Sequence, residues 1–410
     1  MCEEAGGLIL VVLVHGTWGR GIFPVEVDKE RRDGPLWFQT GSAFFGELNT
    51  KLRETFSSSS YQFEMEPFFW SGANSIRARD RASDHLQEWF KGKLSTKNYA
   101  GVLIVAHSHG ANLLKKVALT CPNSNVNVVT LGAPFLEVYA DNEISIDIGS
   151  VWSLCVAVFS IMYFFFKIFP YLFGIDLLGL ILFVQSENGR TAIGVLLLFF
   201  GSSIAMGIAS MFGLDSTERA KSLAAVTKGN LDWSPLKDCG VLILRAVDDE
   251  ASLVLAAGAI GNRICIVALK IAQTLALISV HPLYLLPVAF CMTMFSFLFV
   301  NFGGLFSDPA RNLYFATTAF IAIFIFLPGV LYLAALFLSG LFKSTHGREL
   351  FLGAINTVLN AQSAPDIHQS ARIVTLPGFQ RRNGGFRHSV YDHSDCAPTI
   401  VEWLANRLGV

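Results

Sequence analysis

Two long hydrophobic blocks, at residues 149–213 and 253–343, interrupt a sequence that otherwise has the pattern of an α/β domain. A helix needs about 20 apolar residues to cross roughly 30 Å of hydrocarbon. Four segments satisfy this requirement, at about 150–169, 191–213, 283–306 and 313–341. The sequence therefore predicts four transmembrane helices, two in each block.

Two further apolar segments are weaker candidates. Residues 171–185 and 263–281 are too short or carry Asp176, Arg263 or Lys270, so we expect them at the membrane interface or against other helices. The alternative is that all of these runs are core helices of a large soluble protein. The polar turns SENGR and SDPARN disfavour it, as does a charged fraction of 15% against about 25% in soluble domains.

Composition also argues against several kinds of partner. Lys and Arg number 31 and Asp and Glu number 32, so the charge balance predicts no surface for nucleic acid. The seven cysteines form no CxxC pair and no metal-ligand spacing, which argues against a disulfide framework. The acidic start MCEEAGG lacks the basic region of a signal peptide. We therefore expect no cleaved signal and a reducing compartment.

The rest of the chain is predicted to form one α/β domain, from residues 1–148, 214–252 and 344–410. Runs that predict strands are LILVVLV, YQFEMEPFFW, GVLIVA, VNVVTL, GVLILRA and ARIVTL. Helical spacing follows Ser42, a predicted N-cap, and recurs at 79–90, 346–361 and 397–408. Strands that alternate with helices favour a mostly parallel sheet with helices on both faces.

The predicted sheet constrains the membrane topology. Strands on either side of each block belong to one sheet, so each block must cross the membrane an even number of times, which two helices per block satisfy. The turns on the far side of the predicted transmembrane helices carry Arg190 and Arg311. More basic residues lie near the helix ends that join the α/β domain, namely Arg219, Lys221, Lys228, Lys343 and Arg348. The positive-inside rule then predicts a multi-pass membrane protein with a cytosolic α/β domain.

A serine lies at the end of one predicted strand, where residues 102–112 read VLIVAHSHGAN. In a nucleophile elbow the turn around the serine is tight, so the residues two positions away must be small. Around Ser108 they are Ala106 and Gly110. A serine that only caps a helix would leave Gly110 unexplained, so the pattern favours a nucleophile. A second strand ends in an H-G turn, in VVLVHGTWG at 11–19.

These residues resemble those of the α/β-hydrolase superfamily, and within it the lipase-like esterases with H-G and A-x-S-x-G turns. Ala106 departs from the usual G-x-S-x-G. The resemblance covers 7–141, 214–252 and 345–410 but neither hydrophobic block; FFWSGANS at 68–75 also looks like stretches of family members. It implies an α/β-hydrolase fold and a Ser–His–Asp hydrolase of esters or thioesters that uses no cofactor.

The resemblance also implies where the oxyanion hole lies. An acyl-transfer site needs hydrogen-bond donors aimed at the developing negative charge. One donor is the backbone N–H of the residue after the nucleophile, here His109, and the other comes from an early strand-end loop. In hydrolases with an H-G turn, that second donor is the residue after the glycine, here Thr17.

The catalytic acid should follow the serine and precede the base in the chain. LILRAVDDEAS offers Asp248, Asp249 and Glu250 at the end of a strand. Family members often read G-D-E-A-S at this place, so Asp249 matches the acidic position. Asp248 is the alternative.

Two histidines are candidates for the base. In related lipases the base precedes the Trp-Leu of the closing helix and is often followed by a serine and an aromatic residue. His388 fits both its distance from Trp403 and the sequence H-S-V-Y, whereas His393 lies nearer the helix and is expected to build its N-terminus. His107 and His109 are not predicted to bind a metal, because their side chains should diverge around the turn and no third ligand is close in sequence.

Both hydrophobic blocks begin at carboxyl ends of predicted strands, which carry the active site in such sheets. We therefore expect the hairpins to replace a lid, with the catalytic edge facing the bilayer and a membrane lipid or acylated substrate reaching Ser108 laterally. Hydrolysis of a lipid-like carboxylic ester is the expected reaction, although a dry site would also suit acyl transfer. An acyl-protein or acyl-CoA thioesterase and a non-catalytic membrane scaffold are alternatives.

GSSIAMG at 201–207 allows close helix packing, within one chain or in a homo-oligomer.

Overall fold

The computed structural model describes residues 7–17, 35–118, 125–140, 216–233, 239–247, 249–280, 331, 334–352, 357–362, 364, 371–377 and 389–410. Three predicted spans, 150–169, 191–213 and 283–306, lie outside these residues, as does most of the fourth. The division of the chain into domains and membrane blocks therefore stays a prediction.

The described strands are β1 (Gly7–Val14), β2 (Tyr61–Phe68), β3 (Gly101–His107), β4 (Asn125–Leu131), β5 (Phe135–Ala140), β6 (Gly240–Ala246), β7 (Thr357–Gln362) and β8 (Ala371–Leu376). Six of them form one sheet in the order β2-β1-β3-β4-β6-β8. Every neighbouring pair in that sheet is parallel. The α/β arrangement predicted from the sequence is confirmed.

The described helices are α1 (Ala43–Thr55), α2 (Ile76–Thr96), α3 (Lys115–Ala118), α4 (Ser216–Thr227), α5 (Glu250–Val280), α6 (Ala334–Ser344), α7 (Glu349–Leu352) and α8 (Cys396–Leu408). Short 3-10 helices occupy Ser108–Leu113 and Val390–Asp392. The predicted N-cap is confirmed, since the Ser42 side chain accepts a hydrogen bond from the Phe45 N–H at 3.2 Å. The turn that follows β3 is a 3-10 helix, which leads into the short α3.

Helices cover both faces of the sheet, which explains why its strands read as continuous aliphatic runs. Along β1, Val11 and Leu13 pack with residues of α1 and α8 on one face. Leu10 and Val12 point the opposite way and pack with residues of α2 on the other. This alternation follows from the two-residue period of a strand.

The predicted amphipathic helix at 346–361 is wrong. Among the described residues of this stretch, the α-helix is α7, and Thr357–Gln362 forms β7, which pairs antiparallel with β5. Thr357 and Leu359 are buried while the residue between them is half-buried, a two-residue period that suits a strand. The partner strand β5 lies more than 200 residues away in sequence, so the local pattern did not reveal the pairing.

One helix of the described residues, α5, is long and apolar enough to cross a membrane, over Leu253–Ile271, with mean hydropathy 1.7 and 22% of that window buried. Arg263 and Lys270 argue against a span at residues 263–281 when that stretch is taken alone. In the structure it continues a longer helix, and the apolar window begins ten residues earlier, at Leu253. By itself, one such helix does not distinguish a membrane span from a core helix of a soluble protein.

Helix α6 packs beside α5, and its described part is a shorter apolar helix, over Ala334–Ser344. The Ser339 hydroxyl donates to the Asn262 side-chain oxygen at 3.0 Å. A Cβ added to Gly261 would lie 2.9 Å from the Phe342 ring, so the glycine lets the two helices approach closely. The domain-side ends of the second hydrophobic block are therefore side by side.

Candidate active site

The strand order reverses between β1 and β3. From β1 the chain first places β2 on one side, and then places β3 and the remaining strands on the other. At such a reversal, the loops at the carboxyl ends of the two strands diverge and leave a crevice, which is where open α/β sheets bind ligands. His15, Gly16 and Thr17 follow β1 and Ser108 follows β3, so two of the predicted site segments meet at this crevice.

Ser108 has an unusual backbone conformation. Its φ is 52°, and it is the one non-glycine residue among those described with a positive φ. A serine in this region carries strain of about 1–3 kcal/mol, which persists when the surrounding structure enforces it. The residue is also 95% buried, with 5% of its surface exposed. The strained backbone at the end of a strand is the feature that a nucleophile elbow shares.

Gly16 and Gly110 allow the two loops to touch. A Cβ added to Gly16 would lie 2.6 Å from the Ser108 Cβ and 3.3 Å from its Oγ. A Cβ added to Gly110 would lie 2.7 Å and 2.9 Å from the backbone carbonyl oxygens of His15 and Val14. No side chain fits at either position. Gly16 and Gly110 are therefore both needed for the loop after β1 to lie against the turn around Ser108.

The two predicted oxyanion donors flank this contact. Thr17 follows Gly16, and its hydroxyl is buried without a hydrogen-bond partner among the described residues. The Nδ1 of His109 lies 3.2 Å from the side-chain nitrogen of Asn112, which also donates to the Pro134 carbonyl oxygen at 2.8 Å. Asn112 thereby fixes the 3-10 turn against the residues before β5, a contact that the sequence did not predict.

Asp249 lies where the predicted acid should be, three residues after β6 and directly before α5. It is buried, and its carbonyl oxygen accepts the Leu253 N–H at 3.2 Å. It thus occupies the N-cap position of α5, and an aspartate is also favoured there for capping alone. The alternative acid, Asp248, lies outside the described residues.

The predicted base, His388, lies outside the described residues, but the segment that follows it is described. The Tyr391 ring stacks on Trp37 with centroids 4.7 Å apart and meets the His107 ring edge-on at 5.0 Å. The chain three residues after His388 is therefore held against the residue preceding Ser108. Neither Trp37 nor this contact was predicted.

His393 has the surroundings expected of a helix-terminal residue. Its Nδ1 accepts the Asp395 N–H at 3.1 Å, one residue before α8 begins.

The two histidines that flank Ser108 diverge as predicted, since His107 faces Trp37 and Tyr391 while His109 faces Asn112. Among the described residues, no group of three or more His, Cys, Asp or Glu side chains could hold a metal ion.

A second polar cluster joins the start of α2 to the end of α6, and we call its members Asn74, Arg79, His346 and Glu349 the junction. The Asn74 amide donates to the carbonyl oxygens of Ser344 and Thr345 at 2.9 Å and 3.3 Å, and Arg79 donates to that of His346 at 2.6 Å. The residues directly after the second hydrophobic block are thus fixed beside the loop that follows β2.

Burial and charge shift the pKa values of the junction. Burial, with the nearby charge of Arg79, lowers the pKa of His346 to about 4, so the ring is neutral at pH 7. Burial raises the pKa of Glu349, but hydrogen bonds from the Ser75 hydroxyl and from the backbone N–H groups of Ile76 and Arg77 outweigh it and leave the pKa below its ordinary value. The junction therefore holds a neutral imidazole and an ionised carboxylate.

Comparison with protein-family models, curated proteins and solved structures found no significant match to this chain. Of the five predicted site residues, the structure brings Ser108, His109 and Thr17 to adjoining loops. It places Asp249 at the carboxyl end of β6, in the same sheet, and does not describe His388.

Proposed function

We propose that this protein is a membrane-embedded serine hydrolase that cleaves a lipid-like carboxylic ester through an acyl-serine intermediate. Ser108 is the nucleophile, His388 the general base and Asp249 the carboxylate that orients it. The backbone N–H groups of Thr17 and His109 bind the oxyanion. The fold is that of an α/β hydrolase, with hydrophobic hairpins in place of a lid.

The conformation of Ser108 is the observation that carries this proposal. A serine that only ended a strand or capped a helix would have no need for a positive φ, because those roles are filled in ordinary extended backbone. Strain of this kind concentrates at functional sites. It occurs here at the crevice where the strand order reverses, with Gly16 in direct contact.

The order of the remaining groups supports the same chemistry. Ser108 follows β3, Asp249 follows β6 and His388 comes after β8, which is the chain order of the triad in α/β hydrolases. Tyr391, three residues after His388 in sequence, packs on His107 beside Ser108. The buried hydroxyl of Thr17 is a further donor on the oxyanion loop.

In the reaction, the Ser108 Oγ attacks the ester carbonyl carbon while His388 accepts the hydroxyl proton. The carbonyl oxygen becomes an oxyanion held by the two N–H groups. The alkoxide leaves with the proton from His388, and the acyl group stays on Ser108. A water molecule, deprotonated by His388, then attacks the acyl-serine and releases the fatty acid.

The exposed face of α5 supports a lipid substrate. Four apolar side chains on one side of this helix are 57–70% exposed, namely Leu253, Ile260, Ile264 and Val267. On the other side, Asn262 is buried against α6. An exposed apolar strip of this size on a helix indicates contact with lipid or protein. Since α5 starts one residue after Asp249, lipid bound along it lies next to the site.

Ester hydrolysis by the full chain in phosphatidylcholine nanodiscs tests the proposal. Ser108→Ala should abolish turnover of a long-chain lipid ester, while the matched control Ser95→Ala, at an exposed serine of α2, should leave it unchanged. Asp249→Asn should lower kcat far more than Asp248→Asn. Turnover that survives Ser108→Ala would overturn the assignment, and faster cleavage of an acyl thioester than of the matching ester would change the substrate class.

A further inference from the structure

The imidazole of His15 is completely buried between two aromatic rings. Its centroid lies 4.5 Å from that of Phe38 and 5.4 Å from that of Trp70, and both pairs are stacked. Gly72, at a φ of 62°, closes the edge of the ring, because a Cβ there would lie 3.2 Å from the His15 Cε1. The FFWSGANS segment after β2 therefore builds a pocket for this one side chain.

Hydrogen bonds define which ring nitrogen of His15 carries the proton. The Trp70 backbone N–H donates to Nε2 at 3.4 Å, so Nε2 is an acceptor. The Nδ1 lies 2.9 Å from the Gly16 carbonyl oxygen, which can only accept. The ring must then carry its proton on Nδ1 and donate it to Gly16.

This bond orients the peptide unit between Gly16 and Thr17. In a trans peptide the C=O and N–H groups point in opposite directions, so a Gly16 carbonyl held by His15 directs the Thr17 N–H away from the imidazole. The preceding carbonyl is fixed too, because the Trp70 indole N–H donates to the His15 oxygen at 2.7 Å. Neither carbonyl is available to turn into the space beside Ser108.

We propose that His15 is a positioning residue for the oxyanion hole: it holds the Gly16 carbonyl so that the Thr17 N–H stays directed at the oxyanion. This inference rests on the proposed serine-hydrolase function. Without the imidazole, the flexible Gly16 peptide can flip and present its carbonyl oxygen, which repels the developing negative charge. His15 itself never touches the substrate.

Two variants separate this role from simple packing. His15→Phe keeps an aromatic ring between Phe38 and Trp70 but removes the donor to Gly16. His15→Asn loses most of the ring, yet its side-chain amide nitrogen stands where Nδ1 stood and can still donate to that carbonyl.

Steady-state kinetics on the lipid ester should therefore rank the variants by hydrogen bonding rather than by ring size. His15→Phe should lower kcat by about 100-fold, the loss typical of one oxyanion donor, with an unchanged KM. His15→Asn should recover most of that loss despite a lower melting temperature. A packing role predicts the reverse order, with His15→Phe active and His15→Asn impaired, and that result would overturn the inference.

The same experiment distinguishes failure of the inference from failure of the proposed function. If wild-type protein hydrolyses no ester and Ser108→Ala changes nothing, the hydrolase assignment itself is wrong. If the wild type is active and Ser108-dependent but folded His15→Phe keeps the wild-type kcat, the assignment stands and His15 has no positioning role. The pH of half-maximal kcat/KM should be the same in both His15 variants, because the titrating base is His388.

Discussion

Replacing Gly110 by alanine is a severe test of the contact between the serine turn and the oxyanion loop. The added Cβ would lie 2.7 Å from the His15 carbonyl oxygen and 2.9 Å from that of Val14. Both obstacles are backbone atoms, and the first is already held by the Trp70 indole. The turn must therefore move away from the loop, since no side chain can rotate to make room.

The size of the effect follows from this geometry. An ordinary contact between a methyl carbon and a carbonyl oxygen is longer by about half an ångström, and catalytic groups must hold their positions to within roughly 0.5 Å. A displacement near 1 Å costs about 100-fold in rate, and overpacking of this kind costs about 1–3 kcal/mol of stability. We expect kcat for the lipid ester to fall by ten- to a hundred-fold, or about 1.4–2.7 kcal/mol in transition-state stabilisation.

Gly92→Ala is the matched control, because a Cβ at this exposed position of α2 would meet nothing within 4 Å. It should leave kcat unchanged and stabilise the helix by about 0.5–1 kcal/mol. Both variants are compared with wild type by ester turnover and thermal unfolding in the same nanodiscs. Wild-type activity and melting temperature in Gly110→Ala would refute the close contact on which the site depends.

Three further predictions concern stability. Thr130→Val should raise stability by about 1 kcal/mol, measured as the melting temperature, because the Thr130 hydroxyl is fully buried without a partner among the described residues. His346 binds its proton less readily when folded, with a pKa of about 4 against 6.5. The fold is therefore not destabilised by this group above pH 6.5, and its free energy of unfolding drops by about 3 kcal/mol as the pH falls to 4. His346→Phe should flatten the fall in melting temperature over that range. The pKa of Glu349 is lowered in the folded protein, so its carboxylate stabilises the fold above the ordinary pKa of 4.5 and this stabilisation is lost as the pH falls through the lower folded value. Glu349→Gln should therefore have a lower melting temperature than wild type at pH 7, and the difference between the two should become smaller in acid.

The sequence predicted the sheet because its signal is local. Runs such as LILVVLV are buried on both faces wherever they lie in a parallel sheet, and the cap at Ser42 depends only on Phe45, three residues away. The same is true of the serine turn, since Ala106 and Gly110 lie within two residues of Ser108. In each of these cases the residues that determine the local structure lie within one short segment, so the sequence pattern of that segment was enough to predict it.

The features that were missed depend on contacts between distant segments. The strand β7 exists because it pairs with β5, and this partner overrode the helical pattern of 346–361. The environment of His15 depends on Trp70, 55 residues away, so the H-G turn alone gave no sign of the bond to the Gly16 carbonyl. Tyr391 on His107 is a third case. No periodicity within a single segment encodes such pairs.

Mapping the covalent adduct of a fluorophosphonate probe is the most direct test that Ser108 is the nucleophile. The full chain in phosphatidylcholine nanodiscs is treated with the probe, digested and analysed by mass spectrometry. We predict one adduct, on the peptide that contains Ser108, that disappears in Ser108→Ala and forms much more slowly in His388→Ala. A folded wild-type protein that hydrolyses lipid ester but carries its adduct on another residue, or carries none, would contradict the assignment.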